Sequence, residues 1–336
     1  MHWSVSETFE HVRQKLPRFL PDAGVERCAQ IAKRVPDHAA SHYIEFRLNG
    51  DQQVDFLSVA MDKGIVAQLE AQVGSDPSPV WAEHLTVLRE WATDGAELSH
   101  APFVWFEYDG GSRFVASEPE PSLAFGVEQD YLGRRDGGLR ANDVAGVALG
   151  KVAFSRMLPD ATRQSRMEIV DRCYAALSPV GAVPHAPVMI ARDPVTVKPF
   201  VIMPRESMFP FLDQIGWPGS RRALAALLDT YYAPFRQSIY MDLTLTDRVE
   251  QRLGIATSQF QRAEADFSGL AWWRLPQELE GFKKDLEGWA GYSEVRMGGE
   301  RVWIRRWLDT KAVLDGDKVE YKAYLGFSPA RPPLFC

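Results

Sequence analysis

The segment KVEYKAYLGF, residues 318–327, decides the fold class of this chain. At the two-residue period of a strand, one side carries Val319, Tyr321, Ala323, Leu325 and Phe327. The opposite side carries Lys318, Glu320, Lys322 and Tyr324. The alternation predicts a β-strand that packs one face against an apolar core and presents charges and a phenol on the other.

The same pattern recurs in two other segments. In YIEFRLN, residues 43–49, the polar side is Tyr43, Glu45, Arg47 and Asn49. In SIYMDLT, residues 238–244, the polar side is Ser238, Tyr240, Asp242 and Thr244. Aromatic residues stand among the charges on these faces, which is unusual for strands that simply face water.

Composition narrows the class of protein. The 336 residues are 46% hydrophobic and 25% charged, which is typical of globular proteins. A net charge of −7 argues against a nucleic-acid-binding surface. No apolar window is long enough to cross a bilayer, and the three cysteines are widely spaced, which suits a reducing compartment. We therefore expect a cytoplasmic protein without membrane insertion.

Turn signals between alternating segments predict five β-hairpins. They pair 42–49 with 53–61, 103–108 with strands near 112–116 and 122–128, 186–193 with 196–203, 237–245 with 252–258, and 300–309 with 318–327. Helices are predicted at 5–35, 80–94, 142–157, 160–177, 206–215, 220–232 and 276–290, and a Gly- and Arg-rich loop at 129–142.

Amphipathic helices must cover one face of such a sheet, which leaves the polar strand faces toward an interior. About ten antiparallel strands must curl or close. The sequence therefore predicts an α+β barrel in a single domain, residues 1–336, with a helical region at 1–40, the last hairpin at 300–327 and a tail at 328–336. Pro187 and Pro199 remove ladder donors, so the third hairpin is the expected gap.

This order of elements resembles the ABBA-type aromatic prenyltransferases, in which five αββα units form a ten-stranded antiparallel barrel. The tripeptide Lys322–Ala323–Tyr324 is similar to a Lys-x-Tyr found in strands of that family, and the chain shares the family's lack of a DDxxD motif. The resemblance implies a transferase of natural-product biosynthesis that moves an isoprenoid group from an allylic diphosphate to an aromatic small molecule or peptide. It implies no covalently bound cofactor and leaves open whether Mg²⁺ accompanies the diphosphate.

Inside a barrel, cations on the polar faces would neutralise the diphosphate, phenols would bind its oxygens, and aromatic rings would shield an allyl cation. The substrate-binding candidates are Arg47, Lys198, Tyr240, Arg252, Trp303, Arg305, Lys322 and Tyr324. The candidates for accepting a proton from the acceptor, or for holding its N–H or O–H group, are Glu45, Glu107 and Asp242. The alternative is that these side chains form structural ion pairs or the exposed face of an open sheet.

The sequence contains no complete motif for another class of reaction. The segment GVALGKV, residues 146–152, is one residue short of a phosphate loop, and the dispersed histidines predict no metal site. Two alternative functions stay open. One is a peptide or natural-product tailoring enzyme, or a partner subunit, that binds its substrate at the edge of an open sheet. The other is a non-catalytic small-molecule binding protein with the same barrel.

Overall fold

A computed structural model describes residues 4–37, 39–49, 53–110, 119–127, 144–190, 192, 194–231, 238–257 and 279–330. Three predictions lie outside these residues: the strand near 112–116, the loop at 129–142 and positions 331–336 of the tail. Residues 328–330, which were also predicted as tail, belong to the last strand.

The strands form one antiparallel sheet that closes on itself. They are β1 Ala39–Arg47, β2 Val54–Ala60, β3 Val104–Tyr108, β4 Ser122–Gly126, β5 Ala182–Met189, β6 Thr196–Val197, β7 Phe200–Pro204, β8 Ser238–Leu245, β9 Val249–Thr257, β10 Gly291–Met297, β11 Glu300–Asp315 and β12 Lys318–Ala330. The ring runs β12, β1, β2, β3, β4, β5, β6 with β7, β8, β9, β11 and back to β12. Because β6 and β7 are two parts of one interrupted strand, the described residues form a ten-stranded barrel, as predicted.

Strand β11 closes the barrel because it pairs along both edges. Residues Trp303–Asp315 pair with β12, and residues Thr310–Leu314 pair with β9 on the other side. The first part of β11 also pairs with β10, which lies outside the ring. The predicted end of this strand at residue 309 was therefore six residues too early. The closure rules out the open sheet that one alternative function requires.

Helices surround the barrel in the described part of the chain. They are α1 Val5–Arg13, α2 Asp22–Ala32, α3 Ile65–Val73, α4 Pro79–Ala92, α5 Val144–Met157, α6 Asp160–Leu177, α7 Arg205–Gln214, α8 Arg221–Tyr231 and α9 Glu280–Glu287. The region predicted as helical at 5–35, with Pro21 as a break, is two helices on either side of that proline, and neither α3 nor β10 was predicted. Of the two strands predicted to follow β3, the described one is β4, and it pairs directly with β3.

The main hydrophobic core lies between the helices and the outer strand faces. Outward-facing Phe56 and Phe327 pack against Phe9 of α1, with ring centroids 6.1 and 6.4 Å from it. A second, smaller cluster contains Tyr43, Leu57, Val59 and Phe103 and contains no helix residue. Alternation along each strand therefore separates an outer apolar layer from an inner layer of different chemistry.

The third hairpin was predicted to leave a gap, and the barrel closes there nevertheless. Pro199 interrupts the returning strand, which separates β6 from β7. Two backbone hydrogen bonds span the interruption: Lys198 N–H donates to Pro187 O at 3.0 Å, and Leu243 N–H donates to Pro199 O at 3.1 Å. The proline thus breaks the regular ladder without opening the sheet.

Gly254 of β9 provides a test of the interior packing. A methyl group added at this position would overlap the Asp242 carboxylate and the Lys311 side chain. We expect Gly254→Ala to lower the free energy of unfolding by about 1–3 kcal/mol, measured by urea denaturation. The matched control is Gly281→Ala in α9, where nothing lies within 4 Å of the added methyl group. Equal stability of the two variants would contradict the described interior.

Candidate active site

The barrel encloses a cavity of about 170 Å³, roughly ten times the ~10–15 Å³ that one water requires. Its charged and phenolic lining residues are Tyr43, Glu45, Glu107, Lys198, Asp242, Asp309, Lys311, Lys322 and Tyr324. Its other lining residues include Leu57, Trp105, Ala124, His185, Pro187, Met189, Phe200 and Ala256. The cavity therefore combines three ammonium groups, four carboxyl groups and a largely apolar wall.

Lys322 and Glu45 form a buried ion pair between β12 and β1. The Lys322 ammonium donates a hydrogen bond to Glu45 Oε1, and the two side chains are only 8% and 5% exposed. Burial opposes both charges, but Lys322 and then Lys311 lower the pKa of Glu45 to about 2. Burial also disfavours the charged form of Lys322. The charge and hydrogen bond of Glu45 outweigh this effect, so the pKa of Lys322 is raised. Both groups are therefore ionised at neutral pH.

A second group of charges joins β8, β11 and the break in the third hairpin. Asp242 Oδ2 lies 2.9 Å from Lys311 Nζ and 3.9 Å from Lys198 Nζ. Burial opposes ionisation of Asp242, but Lys311 and Lys198 lower its pKa. For Lys198 burial dominates, and together with the nearby Arg192 it lowers the pKa to about 7. Two lysines therefore share one carboxylate oxygen, and Lys311 lies closer to it than Lys198 does.

Arg192 holds a third set of charges, and sequence analysis missed it. Its guanidinium donates to Glu107 Oε1 at 2.6 Å and to both oxygens of Asp109, at 2.5 and 2.7 Å. Burial raises the pKa of Glu107, and Arg192 only partly offsets this. The predicted strand 186–193 included Arg192, but β5 ends at Met189, so Arg192 lies in the following turn and the two-residue period did not indicate its position. Of the three predicted catalytic carboxylates, Glu107 alone has a raised pKa.

Three cationic side chains surround the carboxylate of Glu320, which lies next to the cavity on the side of Lys322. Its Oε1 lies 3.2 Å from Arg252, 3.3 Å from Arg47 and 3.7 Å from Lys322. Arg252 also reaches Asp315 at 3.3 Å. Arg47 and Arg252, both predicted to bind substrate, thus lie in an ion-pair cluster next to the cavity rather than in its lining.

Aromatic rings form a nearly continuous layer around the wall. Following Trp307, Tyr43, Trp105, His185, Phe200 and Tyr240, successive ring centroids are 5.3, 5.1, 5.9, 5.4 and 6.3 Å apart. The buried indole N–H of Trp105 has no hydrogen-bond partner in the part of the chain that the structure describes. The layer offers π-faces and an indole donor rather than aliphatic contacts.

The structure brings six of the predicted site residues together in the lining: Glu45, Glu107, Lys198, Asp242, Lys322 and Tyr324. Tyr240, Trp303 and Arg305 do not line the cavity. Tyr240 contacts lining residue Phe200, and the Arg305 guanidinium lies 5.7 Å from the Trp307 ring, opposite Ser328 in the β11–β12 register. The roles of these residues remain predictions.

Lys311 and Asp309 were missed for a different reason. The alternation of Trp303, Arg305 and Trp307 continues through both residues. The predicted strand ended at residue 309, so it left out Lys311, while Asp309 was its last residue and was not chosen as a candidate. Extending the alternation to the Asp315–Gly316 turn would have placed Lys311 on the inner face, directly opposite Lys322.

In comparisons with models of protein families and with curated proteins, this chain finds no match. Among the described residues, no group of three or more His, Cys, Asp or Glu side chains is arranged to hold a metal ion. Among the helices that the structure describes, none has both the length and the apolar character that crossing a membrane requires.

Asp55 of β2 predicts a specific pH dependence of stability. It faces Glu45 in the β1–β2 register and accepts hydrogen bonds from Gln53 Nε2 and Gly110 N, both at 2.7 Å. Burial, followed by the charges of Glu45 and Asp109, raises its pKa to about 7. The folded protein therefore holds a proton there between about pH 4 and 7, a window in which the unfolded chain has lost it.

This proton stabilises the fold at low pH, and its contribution is lost as the pH rises through 7. Asp55→Asn keeps an oxygen acceptor without the charge. We expect the stability of Asp55→Asn relative to wild type to rise between pH 5 and 8, by at most about 1.4 kcal/mol per pH unit, in urea unfolding. Exposed Asp94→Asn is the control for removing one carboxylate. A constant difference between Asp55→Asn and wild type over this range would refute the argument.

Proposed function

We propose that this protein is a transferase that moves an isoprenoid group from an allylic diphosphate to an aromatic acceptor inside the barrel cavity. The observation that carries the proposal is the convergence of Lys198, Lys311 and Lys322 on one aromatic-lined cavity. Ionisation of an allylic diphosphate requires stabilisation of negative charge where it develops, in a site of low effective dielectric. Three lysine side chains beside an aromatic wall can supply that stabilisation.

The reaction has three changes of bonding to account for. The allylic C–O bond breaks and its electron pair leaves with the diphosphate, which the lysines neutralise. A ring carbon or heteroatom of the acceptor then bonds to the allyl cation and releases a proton. The aromatic layer around Tyr43, Trp105 and Phe200 supports this step because π-faces attract a cation.

Glu107 is the best placed of the candidate carboxylates to take that proton. Glu45 and Asp242 are both held ionised by lysines, which makes them weak bases. The pKa of Glu107 is raised by burial, so its carboxylate is the more basic of the three. The proposal leaves the requirement for Mg²⁺ to experiment, because Mg²⁺ commonly binds together with substrate phosphates.

The test is turnover. Dimethylallyl and geranyl diphosphate are each incubated with a mixture of indoles and phenols, with and without Mg²⁺, and products are identified by mass. Prenylated product from either donor supports the transferase. Saturable binding of the diphosphate without any product would favour the alternative of a non-catalytic small-molecule binding protein, which uses the same barrel.

Lys322 provides the sharpest mutational prediction. Losing a charge-assisted contact to the leaving group costs about 2–4 kcal/mol, so Lys322→Met should lower turnover by roughly a hundredfold. Tyr324→Phe should cost less because the phenol is a neutral donor. The control is Arg301→Ala on the same strand as Lys311, since Arg301 is 74% exposed and pairs only with Glu294 among the described residues. Near-normal turnover of Lys322→Met would remove Lys322 from the site.

Loss of Lys322 also leaves Glu45 buried without its partner, which could lower stability. The double variant Glu45→Gln with Lys322→Met restores neutrality, and Glu45→Gln alone shows what the carboxylate contributes. If the double variant recovers its melting temperature but turns over far more slowly than Glu45→Gln, Lys322 acts on the substrate. Arg305→Ala tests the role predicted from sequence; because Arg305 lies outside the lining, we expect a smaller loss than for Lys322→Met.

A further inference from the structure

The cations around the cavity are not equally compensated. Among the described residues, Lys322 is bonded to Glu45, Lys311 lies 2.9 Å from Asp242, and Arg192 lies 2.5 Å from Asp109. The nearest carboxylate oxygen to Lys198 Nζ is 3.9 Å away, and it is the Asp242 oxygen that Lys311 already holds. Lys198 is thus the cavity cation with the weakest partner in this part of the chain.

The backbone fixes Lys198 in this position. The residue stands at the break between β6 and β7, where its own N–H donates to Pro187 O at 3.0 Å. The next residue, Pro199, accepts from Leu243 N–H at 3.1 Å. The first bond joins Lys198 to β5 and the second joins Pro199 to β8, and the Lys198 side chain is only 17% exposed. The backbone thus holds the residue at the cavity, and the side chain lines it with little exposure to water.

Charged groups face Lys198 from every side of the barrel. Lys311 and Asp309 come from β11 and Lys322 from β12, while Arg192 lies in the turn after β5. The other carboxylates are Glu45 of β1, Glu107 of β3 and Asp242 of β8. Strand β5 contributes the imidazole of His185. Burial lowers the pKa of His185 to about 3, so that ring stays neutral in the range where Lys198 changes charge.

Burial and three neighbouring cations disfavour a proton on Lys198, and its pKa falls to about 7. A bound anion reverses this balance because it supplies the negative charge that Asp242 cannot share. The ammonium form then gains a partner, and the pKa moves back toward the ordinary value for lysine, about 10.4.

We propose that a polyanion enters this cavity together with a proton, and that Lys198 takes up that proton. The inference rests on the proposed function for the identity of the anion, a diphosphate. Lys198 then serves as a pH-dependent contact, in contrast to Lys322, whose ion pair with Glu45 holds its charge before the ligand arrives. Above pH 7, affinity should fall by up to about tenfold per pH unit relative to a variant with a fixed charge at position 198.

The experiment is calorimetric titration of the full chain with inorganic pyrophosphate at pH 8, in buffers of different ionisation enthalpy. The dependence of the heat on the buffer gives the number of protons taken up. We expect wild type to take up close to one proton more than Lys198→Met, a difference in which protonation of pyrophosphate itself cancels. Lys198→Arg, whose guanidinium is always charged, should bind without this extra proton and with a flatter pH profile between 7 and 9.

Two controls identify the group that titrates. Glu107→Gln should keep the uptake, although the pKa of Glu107 is also raised. Lys311→Met frees Asp242 to pair with Lys198, so the lysine is already protonated and the uptake should fall although Lys198 is present. Equal uptake in wild type and Lys198→Arg, loss of uptake in Glu107→Gln, or no binding of pyrophosphate would each overturn the inference.

This outcome is separate from that of the transferase proposal. Proton-linked binding of pyrophosphate without any prenylated product would support the role of Lys198 and refute the transfer reaction. Turnover without proton-linked binding would refute the role of Lys198 alone.

Discussion

The closed barrel constrains everything inside it, because a closed sheet leaves its inward-facing polar groups little water. The ion pair between Lys322 and Glu45 meets this constraint where β12 and β1 join. Each residue also faces a group of its own kind across the neighbouring strand, Lys311 opposite Lys322 and Asp55 opposite Glu45. Asp242 and Glu45 compensate the two lysines, and a proton on Asp55 up to about pH 7 relieves its repulsion with Glu45. Removing either partner would therefore disturb four strands rather than two.

Pro199 in the third hairpin divides a strand of the barrel beside a residue that lines the cavity. A regular strand there would pair every backbone group and leave a lysine with ordinary strand neighbours. Pro199 removes a donor and divides the strand, yet the flanking backbone bonds keep the sheet closed. Lys198 lines the cavity at this interruption. Its nearest carboxylate among the described residues is Asp242, which lies closer to Lys311.

Strand alternation made much of this arrangement predictable. Residues such as Glu45, Asp242, Lys322 and Tyr324 followed from the two-residue period, because helices cover the other face and the sheet closes. Prediction failed where the period does not apply or was cut short: Arg192 lies in a turn, and Lys311 lies beyond the predicted strand end. Which cation pairs with which carboxylate depends on barrel stagger, which brings together residues from non-adjacent strands. No single-strand pattern contains that information.

Stability alone does not explain so many buried charges. Taking a lysine or a carboxylate out of water is costly, and well-packed apolar residues can replace buried ion pairs at little or no cost in stability. The outer layer of this protein is such an apolar core, so the fold does not depend on charges for packing. Inside, lysines and carboxylates lie beside aromatic rings around the cavity. A ligand that carries both concentrated negative charge and an apolar group would satisfy the two halves of this surface together. An allylic diphosphate has that composition, and a purely apolar or purely ionic ligand would leave one half without a partner.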